Sequence, residues 1–174
     1  MVDARTGQLF DYTRKRGVDH SEISLPVGAP AWMSVRTQLW NSIELIEKRK
    51  DSQLAREFDI AFPRELSNED KIVLARRWVG ELVSLGMAVD WNCHNLSGNN
   101  PHFHAMASMR SIELSGWGKK NRDWNDRSLI ESWRARFAEM ANEGLALWAA
   151  QKMIRALVDV NYISSPTTIT IPHR

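Results

Sequence analysis

The sequence predicts an α+β fold, an antiparallel β-sheet with helices on its faces. Two stretches, 87–94 and 102–109, alternate apolar and polar residues with a period of two and are joined by a short, turn-rich linker. Three others, 33–51, 67–86 and 126–158, repeat apolar residues at helical spacing, so helices cross between and after the strands.

Residues 1–30 carry Gly7, Gly17, Pro26, Gly28 and Pro30 and read as loop or extended chain with room for one short strand. Within them, a solvated charged turn explains Arg14-Lys15-Arg16 as well as a phosphate-contacting patch does. From Met33 to about Asp51, Val35, Leu39, Ile43 and Ile46 mark a helix starting at Ser34. Phe58, Ile60 and Phe62 alternate with Glu57 and Asp59, a strand that Pro63 ends. Ser67 with Asp70 three residues on is a helix-start signal. The helix it opens presents Ile72, Leu74, Ala75, Trp78, Val79, Leu82 and Val83, with Gly86 at the C′ position.

In 87–94, Met87, Val89, Trp91 and Cys93 take one face and Asp90, Asn92 and His94 the other. Leu96 to Pro101 is a turn by composition. In 102–109, His102 and His104 project from one face while Phe103, Ala105 and Ala107 take the opposite one. Residues 111–127, with Gly116, Gly118 and several basic side chains, are expected to form a mobile loop. Asp126 or Ser128 caps a last helix whose apolar face is Ile130, Trp133, Phe137, Met140 and Ala141, continuing toward Val158. The expected domain spans 1–158, and 159–174 reads as an irregular tail despite the β-branched run 167–171. There is no internal repeat.

At 174 residues and 43% hydrophobic, the chain is one globular domain with enough length for a real core. A net charge of +2 is too small to argue for nucleic acid, so any DNA-binding field must come from local patches. The single cysteine, Cys93, excludes an intrachain disulfide, fits a reducing cytoplasm, and reads as a buried inert thiol. No apolar run approaches the roughly 18 residues a membrane span needs, which points to a cytoplasmic chain.

Three of the five histidines, His94, His102 and His104, fall on the two paired stretches. If those strands are antiparallel neighbours, register can bring all three to one patch. Three neutral imidazoles each offer a lone pair and cancel none of an ion's charge, which suits a metal site with open positions. Spacing alone leaves such a site and ordinary surface histidines equally open.

Asn100-Pro101-His102-Phe103-His104, followed six residues later by Arg110, resembles the three-histidine (HUH) motif of the MobA/MobL family of plasmid mobilisation relaxases. The likeness extends in order over roughly residues 3–145: Arg5-Thr6-Gly7, Phe10 to Val18, Ala29-Pro30-Ala31-Trp32, Leu39-Trp40-Asn41, Glu44-x-x-Glu47, Ala55 to Leu66, Gly116-Trp117-Gly118-Lys119 and Trp133 to Leu145. The resemblance implies a five-stranded sheet flanked by helices and an Mn²⁺ or Mg²⁺ ion on His94, His102 and His104. It implies nicking and rejoining of single-stranded DNA at a plasmid transfer origin, by a tyrosine that becomes covalently linked to the strand. Relaxosome accessory proteins are the further partners implied.

The family's nucleophilic tyrosine lies ahead of the segment resembling Arg5 to Val18, so a chain lacking it and the first strand is expected. Tyr12 matches a non-catalytic family position, and Tyr162 lies in the unmatched tail. Glu57 and Asp59 are the candidate catalytic acids, able to orient a histidine or tune the ion, with exposed strand acids the competing account. Asp90 has the same ambiguity. Of the eight tryptophans, Trp32, Trp40, Trp78, Trp91, Trp133 and Trp148 are assigned to the core. Trp117 and Trp124, with Arg110, Lys119, Lys120 and Arg122, are the candidate DNA-binding set, by stacking on bases and contacting phosphates. The competing functions are a metal- and single-stranded-DNA-binding remnant without chemistry and, with less support, a histidine-rich metal protein unrelated to DNA.

Overall fold

The computed structural model describes residues 7, 9, 17–49 and 51–163, with 156–163 in backbone alone. Four strands form an antiparallel sheet: β1 (Val18–Ser24), β2 (Ala55–Ala61), β3 (Val89–His94) and β4 (His102–Ser108), in the order β1-β3-β4-β2. A second, two-stranded ribbon joins β5 (Arg110–Glu113) to β6 (Gly116–Lys120). The helices are α1 (Arg36–Ile46), α2 (Asn68–Ser84) and α3 (Arg127–Ile163). The architecture is therefore the expected α+β one, a sheet flanked by helices.

Alternation along the strands decides which face is covered. Val89, Trp91, Cys93, Phe103, Ala105 and Ala107 are buried on one side, where α2 and α3 supply Trp78, Leu82, Trp133 and Met140. Phe103 lies edge-on to Trp78 and Trp91 and stacks with Phe62, so the strand bearing the histidines is pinned from below by aromatic contacts. The opposite face is only partly covered. There α1 packs Leu39, with Met33, against Ala88 at the end of the sheet remote from the histidines.

Polar contacts clamp α1 in place. Asp90 is 1% exposed, and its carboxylate accepts from Arg36 Nε and Nη2, both at 2.7 Å, and from Trp40 Nε1 at 2.8 Å. Asp90 is thus a structural anchor beneath α1, which resolves its ambiguity. Arg36 also donates to Ser21 Oγ, whose hydroxyl donates to Asn92 Oδ1, carrying the network from α1 across β1 to β3.

Helix limits follow local chemistry. Ser67 caps α2 by accepting from Asp70 N. At its other end Gly86 N donates to Val83 O and Met87 N to Leu82 O, a Schellman closure that places Gly86 at φ +97°. Helix α1 is shorter than the 34–51 expected, because Ala31–Ser34 forms a 3₁₀ turn and Glu47 turns extended at ψ 114°. Helix α3 starts where Asp126 Oδ1 accepts from Ser128 N and runs through Ile163, so 159–163 are helical rather than irregular. Tyr12, the Arg14-Lys15-Arg16 run and residues 164–174 lie outside the described residues.

The mobile loop expected over 111–127 is instead the β5–β6 ribbon followed by a 3₁₀ turn at Asp123–Asn125. Trp117 packs with α1 and donates Nε1 to Ser42 Oγ at 2.8 Å, while Trp124 is 5% exposed within the main core. Docking of two indoles, Trp124 buried and Trp117 partly so, supplies the order that composition alone does not show.

Candidate metal centre and its surroundings

Register assembles the site. His94 pairs with His102 across β3 and β4, and His104 sits between Asn92 of β3 and Asp59 of β2. All of them project from the partly uncovered face. The three ring centroids are 5.1 to 5.4 Å apart; His94 and His102 lie nearly parallel, and His104 stands edge-on to both.

Two rings are oriented by backbone carbonyls. His94 Nδ1 lies 2.9 Å from Gly17 O, and His102 Nδ1 lies 2.8 Å from Asn100 O. A carbonyl only accepts, so each Nδ1 carries the proton and each neutral ring keeps its lone pair on Nε2. His104 Nδ1 is buried with no hydrogen-bond partner among the described residues, and Glu57 Oε1 stands 3.4 Å away, at ion-pair range but outside hydrogen-bond geometry. Candidate ligand atoms of Asp59, His102 and His104 all fall within 4.8 Å of one another.

Two imidazoles and one carboxylate are a donor set that fits a divalent cation, with the His102 lone pair placed on Nε2 by its fixed tautomer; His94 stacks against His102 but lies outside this close group of ligand atoms. Asp59 therefore stands among the candidate ligands rather than only behind them. Glu57 occupies the outer position beside His104.

The linker that sets the histidines is itself tied down. Leu96, 3% exposed, receives Lys71 Nζ on its carbonyl at 2.7 Å and gives its N–H to Asp19 Oδ2 at 2.7 Å. Cys93 lies on the buried face, and burial, with the charges of Asp19 and Glu22 adding to it, pushes its thiol up to about 12. It is an inert thiol, as its strand position implies.

The model of the MobA/MobL family matches residues 1–168 of the chain. The chain belongs to the MobA/MobL family. Among the curated relatives of this MobA/MobL chain, the conjugal transfer protein TraA of Agrobacterium fabrum is 40% identical over 127 residues, 67% of this chain and 12% of that protein. Mobilization protein MobL of Acidithiobacillus ferridurans is 42% identical over 95 residues, 54% of this chain and 24% of that one. The chain thus spans a minor part of the relatives it matches. A chain solved in work on the molecular basis of vancomycin resistance transfer in Staphylococcus aureus superimposes with a TM-score of 0.78 at 33% identity, covering 83% of this chain and 78% of that one. No helix among the described residues is long and apolar enough to cross a membrane.

The expected DNA-contacting residues of this MobA/MobL chain divide in two. Trp124 is buried in the main core, and Trp117, partly buried, is held against α1 by its bond to Ser42. Arg110 donates to Glu47 Oε1 at 2.9 Å and to Gly118 O, and Lys120 reaches the same Glu47 oxygen at 3.2 Å. Lys119 and Arg122 are exposed. Glu47 ionises more readily than usual: burial opposes it, but hydrogen bonds from Ser52, Arg110 and Lys120 outweigh that.

Some contributors escaped the sequence reading. Arg36 and Lys71 look like surface charges at helical positions, and no local pattern ties them to Asp90 or Leu96. The Gly17 and Asn100 carbonyls are backbone groups and leave no side-chain signature. Asn100, immediately before Pro101 and the histidines, carried the one available hint.

Proposed function

We propose that this chain is the strand-binding and metal-binding core of a mobilisation relaxase. It would hold single-stranded DNA of a transfer origin with the scissile phosphodiester at His94, His102, His104 and Asp59, in the cytoplasm. The observation that carries this reading is the convergence of three imidazoles whose Nδ1 atoms are either hydrogen-bonded to carbonyls or buried beside a carboxylate. Mn²⁺ or Mg²⁺ is the cation the family resemblance favours, and when bound it would neutralise charge on the phosphodiester's non-bridging oxygens.

The chain's own backbone carbonyls and one side chain do the positioning. The carbonyls of Gly17 and Asn100 keep the His94 and His102 rings aimed, and Glu57 can take a hydrogen bond from His104 Nδ1 once the carboxylate closes from 3.4 Å. The reaction is transesterification: a tyrosine hydroxyl gives up its proton to solvent as its oxygen bonds to phosphorus, the bond from phosphorus to the 3′ oxygen breaks, and that oxygen takes a proton from solvent and leaves as a hydroxyl. Rejoining reverses each step. We assign the tyrosine to neither Tyr12, which matches a non-catalytic family position, nor Tyr162, which falls near the end of the family match, at the C-terminal end of α3.

A labelled transfer-origin oligonucleotide incubated with the chain and Mn²⁺ tests this. Retention of the single strand without a denaturant-resistant adduct is expected. Failure to retain it refutes the reading, and an adduct that disappears in Tyr12→Phe overturns the tyrosine assignment.

A further inference from the structure

We propose that a basic pocket at the end of β4 remote from the histidines binds backbone phosphates of the same DNA strand, setting its path across the open sheet face. This rests on the reading of single-stranded DNA as the ligand. The pocket is a cavity of about 570 Å³ between the C-terminal end of α1, residues 47–49 and 51–53, and the β6 end. Lys48, Arg49, Arg110, Lys120 and Arg122 line it, against the carboxylates of Glu47 and Asp51. Its surplus of three positive charges exceeds the net +2 of the entire chain, so the remaining surface is close to neutral or acidic in sum.

The pairing inside the pocket shows which cations are available. Glu47 is shared by Arg110 and Lys120, and Asp51 is held by Arg49 at 2.6 Å. Lys48 and Arg122 are exposed and have no ion pair among the described residues. The shared carboxylate keeps Arg110 and Lys120 in place as a fixed cationic floor, and Lys48 and Arg122 stand at the rim. Among the described residues Ile46 is the sole apolar one lining it and no aromatic ring contributes, so the pocket suits phosphate rather than stacked bases. At the other end of the face, Glu57 and Asp59 place two carboxylates beside the rings. Side chains there do not offset a phosphodiester backbone, so a strand lying at the histidines needs its side-chain cations elsewhere.

From His104 to Arg110 the backbone covers at most about 20 Å at ~3.3 Å per residue. That corresponds to about six nucleotides at ~3.4 Å each if stacked, and fewer if extended. The intervening floor, with Met106 and Asn92, is not covered by a helix in the way Ala88 is.

The test uses fluorescence anisotropy of the 174-residue chain with single-stranded oligonucleotides of increasing length over a salt series. Wild type is expected to bind with a step in affinity once the strand is long enough to span both ends. Lys48→Ala/Arg122→Ala is expected to lose that step and to flatten the log K against log[salt] slope by about 1.4, two phosphates at ~0.7 each. Lys152→Ala/Arg155→Ala on α3, which alters charge equally elsewhere, is expected to keep both. An unchanged slope and step in Lys48→Ala/Arg122→Ala, with wild type binding, overturns the inference and leaves strand binding intact. A wild-type chain that binds no oligonucleotide overturns both.

Discussion

Replacing Arg36 by alanine isolates the contact that holds α1 over one end of the sheet and so leaves the histidine end open. Asp90 is 1% exposed and accepts three hydrogen bonds, two from Arg36 and one from Trp40. Arg36→Ala leaves the carboxylate buried with the Trp40 bond alone. Hydrogen bonds to a charged group contribute about 1.5–3 kcal/mol each, and stranding a buried charge costs about 3–5 kcal/mol. Arg36 is itself 43% exposed, so water can replace part of what is lost and solvent screening reduces the figure. The expected destabilisation is about 2–3 kcal/mol. Asp90→Leu removes the charge with its partner's reason for being there, so Arg36→Met/Asp90→Leu should recover to within about 1 kcal/mol of wild type. Urea unfolding of wild type, Arg36→Met, Asp90→Leu and Arg36→Met/Asp90→Leu closes a double-mutant cycle, with Arg36→Ala measured beside it. A coupling energy near zero, or Arg36→Ala within about 0.5 kcal/mol of wild type, would refute the clamp.

Gly86→Ala should destabilise by about 1–2 kcal/mol, because φ +97° is strained for any residue with a Cβ. The added carbon would meet Ser111 Cβ at an ordinary 3.7 Å, so the penalty is conformational, and thermal unfolding would show it without a rearranged ribbon. Glu47 gives a pH signature. Its carboxyl is held below the usual range, so its stabilising contribution is present above the unfolded carboxylate pKa and is lost as pH falls through the lowered folded value. Acid unfolding of Glu47→Gln should therefore show a flatter dependence below about pH 4.3 than wild type, and an identical acid limb would contradict the assignment.

The sheet was legible because one face is buried: the period-two alternation in 87–94 and 102–109 fixes which side chains point to the core, and a short linker fixes antiparallel pairing. Helix α2 was legible from Ser67 and Gly86, since caps are local chemistry. The β5–β6 ribbon was not, because glycines and lysines look like loop and its order comes from Trp117 and Trp124 docking on distant elements. The three histidines followed from alternation plus register. Asp59 as a candidate ligand did not, since its closeness to His104 depends on the β2–β4 register, which no local pattern reveals. The ion pair of Arg110 with Glu47 was not legible, because the two are distant in sequence.

The most direct measurement is calorimetric titration of Mn²⁺ into the chain and into His94→Ala, His102→Ala and His104→Ala. A single site is expected, with affinity falling more than about 100-fold in each variant, beyond the loss typical of outer-shell changes. Equal affinity in wild type and all three variants would contradict the account, because the rings would then hold no ion between them.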